Sequence, residues 1–358
     1  MAKTADYRLG EFTFARGWHM IADASKLGKE PMSLRFFARD MVLYRGESGQ
    51  VHLVDAYCPH MGAHLGRNST SYIVRDNERI QGESIRCPFH GWRFGPDGKC
   101  NHIPYSDQKV PNAARIETFQ VVERAGIIWM WHDEEGNGPD HELPPFEMYD
   151  DPSWVRWVID DLGELPQHPI EVVDNMTDFG HFVPIHGSRD IEYFINEFDD
   201  HVQWQLFGAG HRTLVTEPGH MLELDTWYTG PAILQSHMRG QFPTHMLIAH
   251  TPVDDGLIHV WHALMVKTAK PVATEEDVPP ARAYQQASLD AFAQDFEIWT
   301  HKRACLSPLM VRGDGPTDKN RLWYKQFYNP LVRAGEFQKR VNGKHVVVDR
   351  RQGQKQVA

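Results

Sequence analysis

The sequence predicts an α+β protein of two domains, an antiparallel β domain followed by a sheet combined with long helices. Three observations carry this. The chain has 358 residues, more than the ~100–200 of a single domain. From about residue 13 to 132, short apolar runs alternate with turn signals. Beyond that stretch, strand-like runs are mixed with helical patterns, the longest over 281–304.

In chain order, the apolar runs at 41–44, 51–54, 85–87 and 126–131 are separated by Glu47-Ser48-Gly49, Gly95-Pro96-Asp97-Gly98 and Pro111-Asn112. Short strands at this spacing fit an antiparallel barrel or sandwich. The polar stretch 67–83 contains a strand-like run at 72–74 and reads as a small hairpin. The Gly/Pro-rich segment 133–145 is the expected boundary, giving domains 1–140 and 141–358. In the second domain, 171–182 reads as a helix, and 202–206, 222–228, 246–251 and 258–266 read as strands. Asp254-Asp255-Gly256 supplies a hairpin turn between the last two. Pro279-Pro280 stands just before the long helix. The basic, polar tail after Gly343 is expected to fray or dock on the surface.

Composition excludes several classes. Asp and Glu number 48 against 37 Lys and Arg, a net charge of −11, which argues against a nucleic-acid partner. No apolar run approaches the ~20 residues of a membrane-spanning helix. The first ten residues lack a signal core, so a cytoplasmic location is expected. Four cysteines do not make a disulfide scaffold. Histidine, at 21, is abundant and hints at metal chemistry.

Two motifs sharpen that hint. Residues 58–66 read CPHMGAHLG and 87–92 read CPFHGW. Each supplies one thiolate and one imidazole: Cys58 and His60, then Cys87 and His90. Two cysteines on one iron and two histidines on the other is the ligand set of a Rieske 2Fe–2S centre. Structural zinc also uses two Cys and two His, but its pairs leave two or more residues between ligands. Cys58-Pro59-His60 leaves one.

The second constellation is DNMTDFGHFVPIHG, residues 174–187. His181 and His186 are five apart, about 140° on an unbroken helix, too far round to share one metal. Pro184 interrupts the helix and lets the chain turn His186 back. Asp174, Asp178 and His181 fall at i, i+4 and i+7. A cluster that stores electrons needs an acceptor, and a 2-His-1-carboxylate iron with open positions is the natural one. The carboxylate is expected on the long helix. There Phe292, Phe296 and Trp299 define an apolar face, and Asp295 lies about 65° from its centre. Asp290 and Glu297 point nearly the opposite way.

The two motifs and QDFEIW, residues 294–299, resemble the oxygenase component of Rieske non-haem iron oxygenases. The resemblance runs over nearly the whole chain. It implies an N-terminal antiparallel β Rieske domain and a C-terminal α+β helix-grip catalytic domain, a curved sheet around a long helix with a cavity between. It implies one Rieske 2Fe–2S cluster on Cys58, His60, Cys87 and His90, and one mononuclear Fe(II) on His181, His186 and Asp295. Asp178 becomes the carboxylate that bridges His181 to a cluster histidine of a neighbouring subunit, His90, in a homotrimer. Asp174 and Asn175 are weaker candidates to support the ligands. High-potential Rieske proteins add a second cysteine to each loop and a hydroxyl residue after the second His-Gly; here stand Ala63, Phe89 and Trp92. A low potential near ~−150 mV is therefore expected. No Gly-x-Gly-x-x-Gly fingerprint appears, so NAD(P)H is expected to act through a separate ferredoxin/flavin reductase. The long loop 67–83 could alter how that reductase docks.

Within the family, 174–182 and 315–330 (GPTDKNRLWYKQFYNP) resemble the 3-ketosteroid 9α-hydroxylase and cholesterol 7-desaturase branch. The implied activity is hydroxylation of a bulky, apolar, steroid-like substrate with O2, as a monooxygenase. The alternatives are ring dihydroxylation, demethylation or desaturation on the same iron, a Rieske electron carrier with an interaction domain, and a zinc-stabilised binding module.

Overall fold

The computed structural model describes residues 1–212, 214–215, 220–311 and 313–351. Its contacts define two units, Met20–His132, and Met1–His19 together with Asp133–Ala358. One division falls at the start of the Gly/Pro-rich segment 133–145. The other sets the first 19 residues in the second unit, where the sequence assigned them to the first. Long-range polar contacts hold them there. The Thr4 N–H donates to the Asp255 carboxylate at 2.8 Å, and Arg16 pairs with Asp140 at 2.9 Å and donates to the Asn329 carbonyl at 2.6 Å.

The unit Met20–His132 is built from short antiparallel strands. One sheet runs in the order Met32–Phe36, Arg39–Arg45, Val51–Asp55, Thr118–Phe119. A second runs Ile80–Gln81, Ser84–Arg86, Arg93–Phe94, Cys100–His102. A three-stranded sheet joins Gly17–Asp23, Ile127–His132 and Val121–Arg124. Val42, Tyr44, Val54, Ile85 and Phe94 form a core that also contains Cys58 and Cys87. The turn before Cys100 needs glycine: Gly98 has φ +73°, and a Cβ there would sit 2.1 Å from the Ile116 carbonyl. The run at 72–74 is not a strand but part of a helical turn, Tyr72–Arg75. Side-chain hydrogen bonds shape the segment just before it. Asn68 Oδ1 accepts from the N–H of Thr70 and Ser71, and buried Arg79 donates to the carbonyls of Gly66 and Asn68.

The second unit is a nine-stranded sheet whose paired strands are antiparallel. The order is Trp154–Val155, Leu257–Lys267, Pro243–Asp254, Ile233–Arg239, Leu222–Thr229, Val202–Gly210, Arg189–Asp199, Gly343–Asp349; Asp160–Leu165 also pairs with Leu257–Lys267. The four expected strands are present and longer. Arg189–Asp199 and Ile233–Arg239 were not anticipated. Neither was Gly343–Asp349, which pairs with Arg189–Asp199 where a frayed tail was expected; residues 352–358 lie outside the described residues.

The long helix is Val278–His301. Pro279 and Pro280 lie inside its first turn, where no backbone N–H is needed. Ala281, Tyr284, Ser288, Phe292, Asp295 and Trp299 are buried at intervals of three or four positions, with Gln285 buried beside Tyr284. The helix expected over 171–182 stops early. Pro169–Val173 is α-helical, Asp174–Thr177 tightens to a 3₁₀ turn, and Asp178 leaves helical geometry at ψ 90°. Asp174, Asp178 and His181 therefore do not share a helix face. Among the described residues, no helix is long and apolar enough to cross a membrane.

Candidate active site

The two Cys/His loops have the same backbone. The Cys58 N–H donates to the Ala63 carbonyl and Gly62 N–H to the Cys58 carbonyl; Cys87 and Gly91 repeat this with Trp92 and Cys87. Gly62 and Gly91 share φ +73°, the left-handed conformation that closes each loop. Both cysteines are 2 % exposed. The two thiols face each other, and their interaction lowers Cys87 and raises Cys58 from the ordinary thiol value. The imidazole centroids of His60 and His90 are 4.7 Å apart, and His60 stacks on Trp92 at 4.5 Å. Trp92 Nε1–H donates to the Tyr105 hydroxyl at 2.7 Å. His60 Nδ1 is buried and has no protein partner, as an atom reserved for a metal would be. Two thiols and two imidazoles so disposed fit a 2Fe–2S cluster.

A second set of donors converges in the other unit. One ligand atom each of His181, His186 and Asp295 lie within 4.8 Å of one another. His186 Nε2 is 3.1 Å from Asp295 Oδ2. His181 Nδ1 lies 2.5 Å from the Asp178 carbonyl, so Nδ1 carries the proton and Nε2 keeps its lone pair. That Nε2 is buried and has no hydrogen-bond partner among the described residues. His186 Nδ1 is held in the same way by Gln294 Oε1 at 3.3 Å. Two imidazoles tautomerised by their outer partners, plus one carboxylate, fit a facial metal triad. The Asp178 carboxylate stands 3.7 Å from His181 Nδ1 and is 55 % exposed. Burial raises Asp178, but the hydrogen bond and charge of His181 prevail and hold it below the usual carboxylate range.

These residues line the wall of an apolar cavity together with Val172, Phe207, Leu224, Met246, Ile248 and Phe292. Its polar lining is sparse and mostly committed: Thr226 to Ser236 at 2.7 Å, Tyr228 to His250 at 3.1 Å, and Gln205 Nε2 to the Met176 carbonyl at 2.9 Å. An apolar chamber with few polar groups suits a bulky apolar ligand. His181 and Asp295 also border a polar hollow with Asp174, Asp178 and Arg321. Asp174 lies in that hollow rather than beside the ligands, accepting from Arg321 and Asn320. Asn175 lines both spaces. Asp290 and Glu297 are exposed, and Asp295 is 8 % exposed. Gln294 was missed by the sequence reading. Only its place beside Asp295, one residue round the helix, could have signalled it.

Comparison with known proteins identifies the family. The family model of the 3-ketosteroid 9α-hydroxylase C-terminal domain matches residues 130–328, and that of the Rieske [2Fe-2S] domain matches 17–120. A 3-ketosteroid-9-alpha-monooxygenase oxygenase component of Rhodococcus rhodochrous is 32 % identical over 89 % of this chain and 85 % of the relative. The protein of the same name from Mycolicibacterium smegmatis is 31 % identical over 88 % and 82 %. Cholesterol 7-desaturase of Xenopus laevis is 29 % identical over 88 % and 72 %. Among solved structures, dicamba monooxygenase bound to dicamba superposes with a TM-score of 0.67 at 19 % identity, covering 92 % of this chain and 98 % of that one. This likeness bears on the fold. An oxygenase component of this kind uses one Rieske 2Fe–2S cluster and one mononuclear iron, and takes electrons from NAD(P)H through a separate reductase. The chain belongs to the Rieske non-haem iron oxygenases, in the family of the 3-ketosteroid 9α-hydroxylase oxygenase components.

Proposed function

We propose that the chain is a terminal oxygenase that hydroxylates a steroid or steroid-like molecule, with O2 and two electrons as co-reactants. One oxygen atom enters a C–H bond; the other leaves as water with two protons. The observation that carries this reading is the meeting of His181, His186 and Asp295 on the wall of an apolar cavity. The names of the relatives support the steroid class. In this reading Cys58 and Cys87 hold one cluster iron, His60 and His90 the other, and the His181–His186–Asp295 triad holds the mononuclear iron. The metals supply electron storage and oxygen activation. The chain's own residues do the rest. The apolar wall binds the substrate and excludes water, and Gln294 and the Asp178 carbonyl orient the two imidazoles.

Asp178 is assigned the bridge between His181 and a cluster histidine of a second copy, in a head-to-tail homotrimer. Two sets of exposed apolar residues support it: Met61, Phe89 and Tyr105 about the cluster loops, and Val183, Ile298 and Leu309 on the catalytic unit. The Asp178 carboxylate is 55 % exposed. A cytoplasmic location belongs to the same reading, because Cys58 and Cys87 must stay reduced to bind a cluster.

The test is turnover of the loaded protein with a surrogate reductase on steroid ketones, sterol side-chain esters and aromatic acids. Oxygen uptake coupled to a product sixteen mass units heavier from a steroid supports the reading. Uncoupled uptake with every steroid, and a product only from an aromatic acid, overturns the substrate class.

A further inference from the structure

The long helix and the strand Leu257–Lys267 enclose a hydrogen-bonded chain that takes no part in holding metal. Asp160 Oδ2 lies 2.8 Å from His262 Nδ1, and His262 Nε2 lies 3.0 Å from Ser288 Oγ. His262 is fully buried, Ser288 is 4 % exposed, and Ser288 forms part of the cavity wall. Gln285 Nε2 fixes the outer end, donating to Asp160 Oδ2 and to the Val158 carbonyl, both at 2.8 Å.

The proton positions follow from the chemistry of each partner. An ionised carboxylate only accepts, so His262 Nδ1 carries its proton. In the neutral ring, Nε2 is then a lone pair. Ser288 has one hydroxyl proton, and it is drawn to that lone pair in preference to Met246 Sδ, a weak acceptor 3.6 Å away. What remains of Ser288 on the cavity side is an oxygen lone pair. At this point the wall accepts hydrogen bonds and does not donate them. The order Asp–His–Ser is that of acyl-transfer nucleophiles. Ser288, however, sits in mid-helix, where the neighbouring backbone N–H groups are committed to helical carbonyls. They cannot form an oxyanion hole.

We propose that Asp160 and His262 fix Ser288 as an acceptor that recognises a hydroxyl group of the substrate. The enzyme then prefers an alcohol to a ketone or a hydrocarbon at the position facing the long helix. The inference rests on the cavity being the steroid site. It adds a donor group to the ligand, and it makes Ser288 a specificity-determining residue with Asp160 and His262 as positioning residues. A site built to pair with a substrate O–H discriminates against analogues that lack it, because its own buried oxygen is left unpaired.

The experiment measures equilibrium binding to the metal-loaded protein by quenching of tryptophan fluorescence, since Trp299 lines the cavity. The probes are androstane, its 3β- and 17β-alcohols, and its 3- and 17-ketones. Wild type is expected to bind one of the two alcohols about tenfold tighter than androstane and than the matching ketone. Ser288→Ala removes the oxygen that an alcohol pairs with and androstane leaves unpaired, and is expected to abolish that preference. His262→Phe keeps Ser288 but releases its proton for donation, so the preference is expected to move to the ketone. Should His262→Phe fail to fold, Ser288→Ala decides alone. Wild type without an alcohol preference, or Ser288→Ala that retains one, overturns the recognition and leaves the steroid reading standing. Wild type that binds none of the five compounds overturns both.

Discussion

Replacing Arg321 by Met is expected to cost the catalytic unit about 2–4 kcal/mol at pH 7. Arg321 gives Asp174 hydrogen bonds from Nε at 2.9 Å and Nη2 at 2.5 Å, and Asn320 adds a third at 2.9 Å. Breaking a buried pair by removing one partner costs about 3–5 kcal/mol. The two side chains keep 15 % and 16 % exposure, which moderates that figure. For a unit of this size, the loss corresponds to a melting temperature lower by roughly 5–15 °C. The effect carries a pH signature. Burial already raises Asp174 above its usual value of 3.8, against the pull of Arg321, and removing the guanidinium raises it further. A carboxyl whose folded pKa exceeds its unfolded one is destabilising once it ionises, so the penalty is fully present at neutral pH. It shrinks as pH falls through the raised pKa and the group takes up its proton. Asp174→Asn in the Arg321→Met background should therefore recover part of the loss at pH 7 and little at pH 4. Calorimetric melting of the four proteins of this cycle at the two pH values is the assay. A loss below about 0.5 kcal/mol, or a double variant no more stable than Arg321→Met at pH 7, would refute the reasoning.

Three further outcomes are expected. His168, His245 and His250 are each held neutral by burial, at about 3. The unfolded chain takes up these protons first as pH falls through 6.5, so these three groups alone should remove roughly 3 kcal/mol of stability between pH 6.5 and 5.5; a urea midpoint constant over that range contradicts this. Gly62 and Gly91 share φ +73°, but a Cβ on Gly91 would meet Pro104 Cγ at 3.1 Å, whereas one on Gly62 meets nothing within 4 Å. Both alanine variants carry about 1–2 kcal/mol of backbone strain, and Gly91→Ala should lose its visible cluster absorption faster on warming; equal rates would contradict the added contact. Asp178→Ala should keep the cluster spectrum and lower turnover by roughly 10–100-fold; unchanged turnover removes the bridging role.

Local spacing made much of the site legible. Cys58, His60, Cys87 and His90 lie in two short motifs whose ligand offsets are themselves the signal. Asp295 could be read from its phase on an amphipathic helix, because one face of that helix is apolar over two turns. The segment around His181 was harder. Its spacing mimics a helix face, yet the chain leaves helical geometry at Asp178 before the histidine is reached. Asp160, His262 and Ser288 gave no local signal, since 102 and 26 residues separate the bonded partners and only the sheet brings them together. Gly343–Asp349 was misread because its charged flanks hide Val346–Val348, and its partner strand Arg189–Asp199 begins with charged, exposed residues. The turn at Tyr72 was misread because its β-branched residues outweighed the turn-forming Asn68, whose Oδ1 accepts from the N–H of Thr70 and Ser71.

The two-centre account rests on separate metal sites in one chain, and metal content tests it most directly. Iron and acid-labile sulfide are measured per chain in protein purified without oxygen, for the wild type and for His181→Ala. About three irons and two sulfides are expected in the wild type, and about two irons with both sulfides and the red-brown colour retained in the variant. A variant that loses its colour, or a wild type with two irons and an unaltered count on mutation, would contradict the account.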